Sequence, residues 1–332
     1  MKRALAGILL AAGAAVALSA CGSGAAGRTT AVSAPKRARW VPLLHVRLPL
    51  DIVGPRPDGS VVVAADRRLF LLDASAALRP FPGRYLSPGG EEPYIALSPG
   101  GSFGIGTVYA LRLTAGRGVV SITTGGAVRR FARLTAPGLI DGITFDQTGS
   151  FGHRLLVAIT HGTSTTVDAI NSQGAVTTIT SRAPRVEGGI AVAPQTFGRF
   201  AGDLIAPDEK SGRIFAITPS GKSALVADSG LPHGPDIGVE SEGFVPPGAQ
   251  DALVADRITP HNRHVGDDVL LRIRASALAS AGVRPGDLLV AAEGAGLTDA
   301  VSCNTAGCTV RFVAAGPGQA HIEGHIAFVS SR

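Results

Sequence analysis

Residues 187–227 read EGGIAVAPQTFGRFAGDLIAPDEKSGRIFAITPSGKSALVA. Four short apolar and β-branched runs, at 190–194, 203–207, 213–218 and 222–227, are separated by segments at 195–202, 209–212 and 219–221 that carry Gly, Pro or Ser. Runs of that length between turn formers predict strands. The unit recurs along the chain. Ala169-Ile170-Asn171-Ser172-Gln173-Gly174 returns as Ala216-Ile217-Thr218-Pro219-Ser220-Gly221 after 47 residues. Asp203-Leu204-Ile205-Ala206-Pro207-Asp208 returns as Asp251-Ala252-Leu253-Val254-Ala255-Asp256 after 48, and Ser102-Phe103-Gly104 as Ser150-Phe151-Gly152 after 48. Four strands in a period of that size describe a propeller blade.

The 293 residues from 40 to 332 hold six such units, so the fold read from the sequence is all-β, a six-bladed β-propeller. In the last unit three strands can be placed, at 300–304, 308–314 and 320–329. The run 41–48 supplies a fourth, so an N-terminal strand closes the last blade and covers an edge that would otherwise pair with other chains. A short helical insertion at 276–281 is expected inside blade five.

Glu187-Gly188-Gly189-Ile190-Ala191-Val192-Ala193-Pro194, with Phe200-Ala201-Gly202-Asp203-Leu204 and Gly212-Arg213-Ile214, resembles repeats of the senescence-marker/gluconolactonase and NHL-type six-bladed propellers. The resemblance spreads over most of residues 50–300. It implies the propeller fold. The lactonases of that group hold a divalent cation with acidic and amide side chains at the channel mouth, and this sequence has no clear match to their asparagine ligands.

The N-terminus carries an address. Lys2 and Arg3 precede an uncharged Ala- and Leu-rich run from 4 to 20, which ends in Leu18-Ser19-Ala20-Cys21. This is the layout of a secretory signal, and its ending resembles the bacterial lipobox, which implies lipid on Cys21. The expected organisation is a signal peptide at 1–20, a flexible basic linker at 21–39 and the propeller at 40–332. The protein is then exported and lipid-anchored to the membrane, facing away from the cytoplasm. The other two cysteines, Cys303 and Cys308, flank the turn-like Asn304-Thr305-Ala306-Gly307, and an oxidising compartment lets them close a disulfide.

The formal charge of +6 is misleading until it is located. Six basic residues and no acids lie in residues 1–39, which leaves 25 basic against 25 acidic residues in the remainder. A neutral propeller gives no reason to expect nucleic acid as a partner. The expected state is a monomer whose partners are the membrane, through Cys21, and a small molecule or envelope protein.

In an antiparallel blade the start of strand one and the end of strand two share one face. Asp51, Glu92, Asp141, Glu187, Glu242 and Asp299 stand just before first strands, and Asp66, Asp208, Glu209 and Asp256 follow second strands. Carboxylates converging on one channel mouth repel, and a hard cation relieves that. The loop 231–243 adds Asp236 and Glu240 to Glu242, and His233 with them; the loop 256–268 adds His261 and His264. The candidate ligands for calcium or another divalent cation are therefore Glu92, Asp141, Glu187, Asp236, Glu240 and Glu242. His233, His261 and His264 are candidates for acid/base chemistry or for a mixed metal site. The alternative reading is that these groups only cap turns. No phosphate loop, nucleophile elbow or zinc-spaced cluster is present. Two functions stay open: a ligand- or protein-binding module, and a metal-dependent lactonase-like hydrolase, with a quinone-dependent oxidoreductase as a remoter form of the second.

Overall fold

The computed structural model describes residues 36–248 and 250–330. Residues 1–20, Cys21 and most of the linker fall outside this range. Six small sheets form a ring, which is a six-bladed β-propeller. Blade one is Pro49–Val53, Val61–Ala65, Arg68–Leu72 and Leu78–Pro80; blade two is Ile95–Leu97, Val108–Arg112, Gly118–Ile122 and Val128–Arg133. Blade three is Leu139–Phe145, Leu155–His161, Ser164–Ile170 and Val176–Pro184; blade four is Ala191–Val192, Leu204–Asp208, Arg213–Ile217 and Ser223–Asp228. In these four blades each strand pairs antiparallel with the next in sequence.

Burial follows from position in the blade. Second strands such as VVVAA at Val61–Ala65 are covered on both faces, and outer strands such as VRRFAR at Val128–Arg133 are largely exposed. The apolar core is divided into six clusters, each between neighbouring blades; one joins blades one and two through Val62, Leu71, Ile95 and Val108. The turn into the outer strand is encoded locally. Asn171 Oδ1 accepts the amides of Gln173 and Ala175, Thr218 Oγ1 accepts that of Lys222, and Gly174 and Gly221 take φ of +82° at the same point. The 47-residue echo in the sequence is this turn.

Blades five and six depart from the expected layout. Blade five opens with Val239–Phe244, but its other strands are Leu288–Ala292, Thr298–Cys303 and Cys308–Ala315. Blade six takes Ile322–Ser330 as its innermost strand, then Gln250–Asp256, Val269–Ile273 and, outermost, Val41–His45. The N-terminal strand thus closes the last blade, pairing with Val269–Ile273. However, 300–304 and 308–314 belong to blade five rather than blade six. The helix, Ala275–Ser280, is the return crossing from blade six to blade five and is not an insertion within one blade. Ala38–Arg39, in the stretch expected to be linker, add a short parallel strand to blade five at Ala314 and Ala315. Cys303 and Cys308 face each other across a hairpin with Cα atoms 4.1 Å apart and are disulfide-bonded.

Candidate functional site

One mouth of the channel is acidic because of where the innermost strands begin. In two of them a register irregularity falls on an acid at the mouth. Pairing shifts between Ile140 and Gly142 and between Val239 and Ser241, which leaves Asp141 and Glu240 as the extra residues. A bulge turns its side chain out of the regular alternation, and both acids line the mouth. Glu92 arrives just before Ile95–Leu97, Glu187 just before Ala191–Val192, and Glu323 as the second residue of the strand Ile322–Ser330. Glu209 and Glu293 follow the second strands of blades four and five.

These elements enclose a cleft of about 380 Å³ lined by Glu92, Asp141, Arg185, Glu187, Glu209, Asp236, Glu240 and Glu293 among others. Five of the six carboxylates expected from the sequence meet there: Glu92, Asp141, Glu187, Asp236 and Glu240. Glu242 does not line it. Two residues further along the strand, it is fully buried and turned toward the blade-four strand. None of the three expected imidazoles lines the cleft either. His264 Nδ1 bonds the Gly318 carbonyl at 2.8 Å, His233 Nδ1 lies 3.3 Å from the Leu231 carbonyl, and His261 is exposed in a left-handed turn. The two loops do meet, Asn262 Nδ2 donating to the Asp236 carbonyl at 3.0 Å.

The densest part of the site was anticipated only in Glu92 and Glu240. Donor atoms of Glu92, Glu240 and Glu323 lie within 4.8 Å of one another, and so do those of Glu293, His321 and Glu323. Glu323 belongs to both groups. The Tyr94 hydroxyl donates to Glu240 and stands 3.2 Å from Glu323 Oε2. His321 Nε2 is 3.2 Å from Glu293 and 3.4 Å from Glu323, and Arg257 is 3.6 Å from Glu323. On the opposite wall Arg185 pairs with Glu187, with Asp208 at 3.4 Å and with Glu209 at 4.0 Å.

Negative groups outnumber positive ones, and burial removes the water that would screen them. Burial pushes Glu92, Glu240 and Glu293 well above the usual carboxylate range, and the neighbouring glutamates push them further. Asp141 is raised by burial and then by the charge of Glu187. Glu209 is raised by burial, and then by Glu187, to about 7. Glu293 is 3% exposed, yet its Oε2 meets no hydrogen-bond donor. The Glu240 carboxyl is placed to share a proton with it. Such a cluster holds either shared protons or a cation.

Glu293 and Glu323 were missed because both depend on the interleaving of blades five and six. With the strands assigned correctly, Glu293 follows a second strand and Glu323 begins a first one, so both obey the positional rule. Asp299, which had been given Glu323's place, lies on the third strand of blade five. Asp51 satisfies the rule in blade one but is spent on structure, accepting the Ile95 amide at 2.8 Å and pairing with His325 at 3.0 Å.

Fold and site together define a six-bladed propeller with a carboxylate-lined channel mouth. No protein-family profile matches the sequence, and no curated protein does. Solved structures share the fold. One is a calcium-binding protein, regucalcin, from Agrobacterium tumefaciens, at TM-score 0.50 and 15% identity over 88% of this chain and 82% of that one. Another is a virginiamycin B lyase from Staphylococcus aureus, at TM-score 0.48 and 13% identity over 83% and 74%. A third, described as a putative gluconolactonase, gives TM-score 0.39 and 13% identity over 73% and 93%. The fold rests on the six sheets themselves, and at 15% identity the likeness to the first of these structures speaks to the fold alone.

Proposed function

We propose that the acidic mouth binds a divalent cation and, through it, a small oxygen-bearing ligand, in a propeller exported and held at the membrane by lipid on Cys21. The observation that carries the reading is the approach of Glu92, Glu240 and Glu323 to within 4.8 Å at a buried site with too few cations to balance them. The donor set fits. Carboxylate oxygens favour calcium or magnesium, and recruitment of His321 would shift the preference toward zinc or manganese. The calcium-binding described for the regucalcin of the same fold agrees with this reading. Tyr94 and Arg257 hold Glu240 and Glu323 in place, and the cleft beside them has room for a ligand several atoms across.

The test is a calorimetric titration of the purified protein with calcium, magnesium, manganese and zinc. One site per chain is expected, lost on Glu240→Gln. No binding of any of the four at about 1 mM, the weak end for extracellular calcium modules, sinks the reading. For the anchor, Cys21→Ser should release the protein from the membrane fraction, and retention there would refute lipidation.

A metal-dependent hydrolase is the second reading, and Glu209 is the observation that favours it. A carboxyl that titrates at about 7 in a ligand-sized cleft is matched to general-base work near neutrality. A bound cation would polarise an ester or lactone carbonyl. Glu209 would take a proton from the water whose oxygen adds to that carbonyl and would return it to the departing alkoxide as the C–O bond breaks, with Arg185 fixing the carboxyl's direction.

A further inference from the structure

The balance of 25 basic and 25 acidic residues beyond residue 39 conceals a separation. Acids crowd the channel mouth, whereas between Glu92 and Asp141 there are five arginines and no acid or lysine. That stretch is blade two. Its pairing gathers the arginines. Gly118 lies opposite Arg112 on one side and Arg133 on the other, so the two arginines flank a position that has no side chain. The glycine is required there, since a Cβ would stand 2.1 Å from the Ala132 carbonyl oxygen. Arg130 lies opposite Val120, two residues from Gly118, and the register shift between Arg130 and Ala132 brings Arg130 and Arg133 to the same face.

The result is a groove of about 620 Å³ lined by Arg112, Arg117, Arg130 and Arg133, with Phe131 on its wall. Arg117 is braced by donating to the carbonyls of Ala136 at 3.1 Å and Gly138 at 2.5 Å. Arg112 uses only its Nε, on the Thr114 carbonyl at 3.3 Å. The guanidiniums of Arg130 and Arg133 have no hydrogen-bond or ion-pair partner among the described residues. Like charges facing each other across a sheet destabilise it, and nothing within blade two offsets these four.

We propose that this groove is a binding site for a phosphate-bearing polyanion. Guanidinium forks match phosphate oxygens in pairs. One carboxylate would leave three of the four cations unbalanced, whereas linked phosphates supply several charges within the span of the groove. The chemistry is shared by free polyphosphates and by phospholipid headgroups, and the experiment separates them.

Inorganic tripolyphosphate is titrated into the full-length protein at about 0.1 M salt, where the Debye length is about 10 Å, with and without chelator. Binding is expected, unaffected by chelator. Arg130→Glu combined with Arg133→Glu should weaken it about tenfold or more. Arg129→Glu, on the same strand but outside the groove, should not. In a parallel arm, the Cys21→Ser protein, which carries no lipid, meets vesicles of phosphatidylglycerol in phosphatidylcholine in place of tripolyphosphate. Sedimentation with these vesicles alone, abolished by the double reversal, upholds the phosphate site and assigns it to lipid. Failure to bind either probe overturns the proposal, as does equal weakening by Arg129→Glu and the double reversal. Outer-strand positions this exposed tolerate the changes, and circular dichroism confirms the fold.

Discussion

Glu209 faces Arg185 and Glu187 within its own blade and the Asp236 amide from the neighbouring loop. Its carboxyl is raised mainly because it is buried. An unfolded chain releases that proton near the ordinary value of 4.5, whereas the folded chain keeps it up to about 7. Across that window the folded state binds more protons, so the stability is complete below 4.5 and is lost as pH rises through about 7. Glu92, Asp141, Glu240 and Glu293 shift in the same direction and add to the loss. In chelator the melting temperature should therefore fall by a few degrees between about pH 5 and pH 8. A divalent cation should restore it at the higher pH, where it replaces the missing protons. A flat profile by scanning calorimetry would show that the carboxylates are compensated in another way. Glu242 behaves differently. It is fully buried, its carboxyl is raised by desolvation, and it stands outside the cleft. Glu242→Gln keeps its shape and its neutral form. It should change stability by no more than about 1 kcal/mol and leave cation affinity unchanged, in contrast to Glu240→Gln. Loss of metal binding in both variants would place Glu242 in the site after all.

The Cys303–Cys308 hairpin shows how little a short cross-link need contribute to an element. The two strands already pair from Thr298 to Cys303, and Asn304 Oδ1 accepts the amides of Ala306 and Gly307 in the turn. Closing so small a loop constrains the unfolded chain only slightly. Replacing both cysteines with serine should cost about 2 kcal/mol or less, read as a lower urea midpoint with an unchanged slope. A loss near 5 kcal/mol would mean that the disulfide holds more than its own hairpin. The same contrast between local and distant information explains what was legible in the sequence. Blade four was readable strand by strand because its turns are local: Thr218 and Gly221 shape one in the way that Asn171 and Gly174 shape its counterpart. The partner of Gln250–Asp256 was not readable. Ala255 pairs with Glu323, a choice set by closure of the ring and not by any pattern near either residue. The error carried into the site. The rule that acids precede first strands led to Glu92, Asp141 and Glu187, which line the cleft, but it selected Asp299 where Glu323 stands at the start of the innermost strand. Tyr94 and His321 had no spacing to announce them, because each acts across blades, and Arg257 meets Glu323 only through the distant pairing of Gln250–Asp256 with Ile322–Ser330.

At the scale of the whole molecule, both ends of the described chain close the ring, at two radii. Ile322–Ser330 lies innermost in blade six and Val41–His45 outermost, with the two strands of Gln250–Asp256 and Val269–Ile273 between them. Ala38–Arg39 continue onto blade five, and Trp40 sits at the crossing, 2% exposed, its indole donating to Thr298 Oγ1 at 2.8 Å. Eight residues thus bind the two interleaved blades together from outside, while the last strand carries Glu323 to the axis. A chain beginning at Asp51 loses that outer strap and leaves Val269–Ile273 as a bare edge. Such an edge, LL at its centre and buried in the intact ring, invites pairing with another copy. The truncated protein should self-associate and melt well below the full chain. Trp40→Ala alone should cost about 3–5 kcal/mol by the cavity it leaves, without exposing the edge. Light scattering and calorimetry on both variants separate the two effects: association is expected only for the truncation, destabilisation for both. If the truncated chain melts with the full-length protein and scatters no more light, the interleaved strands of blades five and six close the ring unaided, and the N-terminal strand is ornament on a finished sheet.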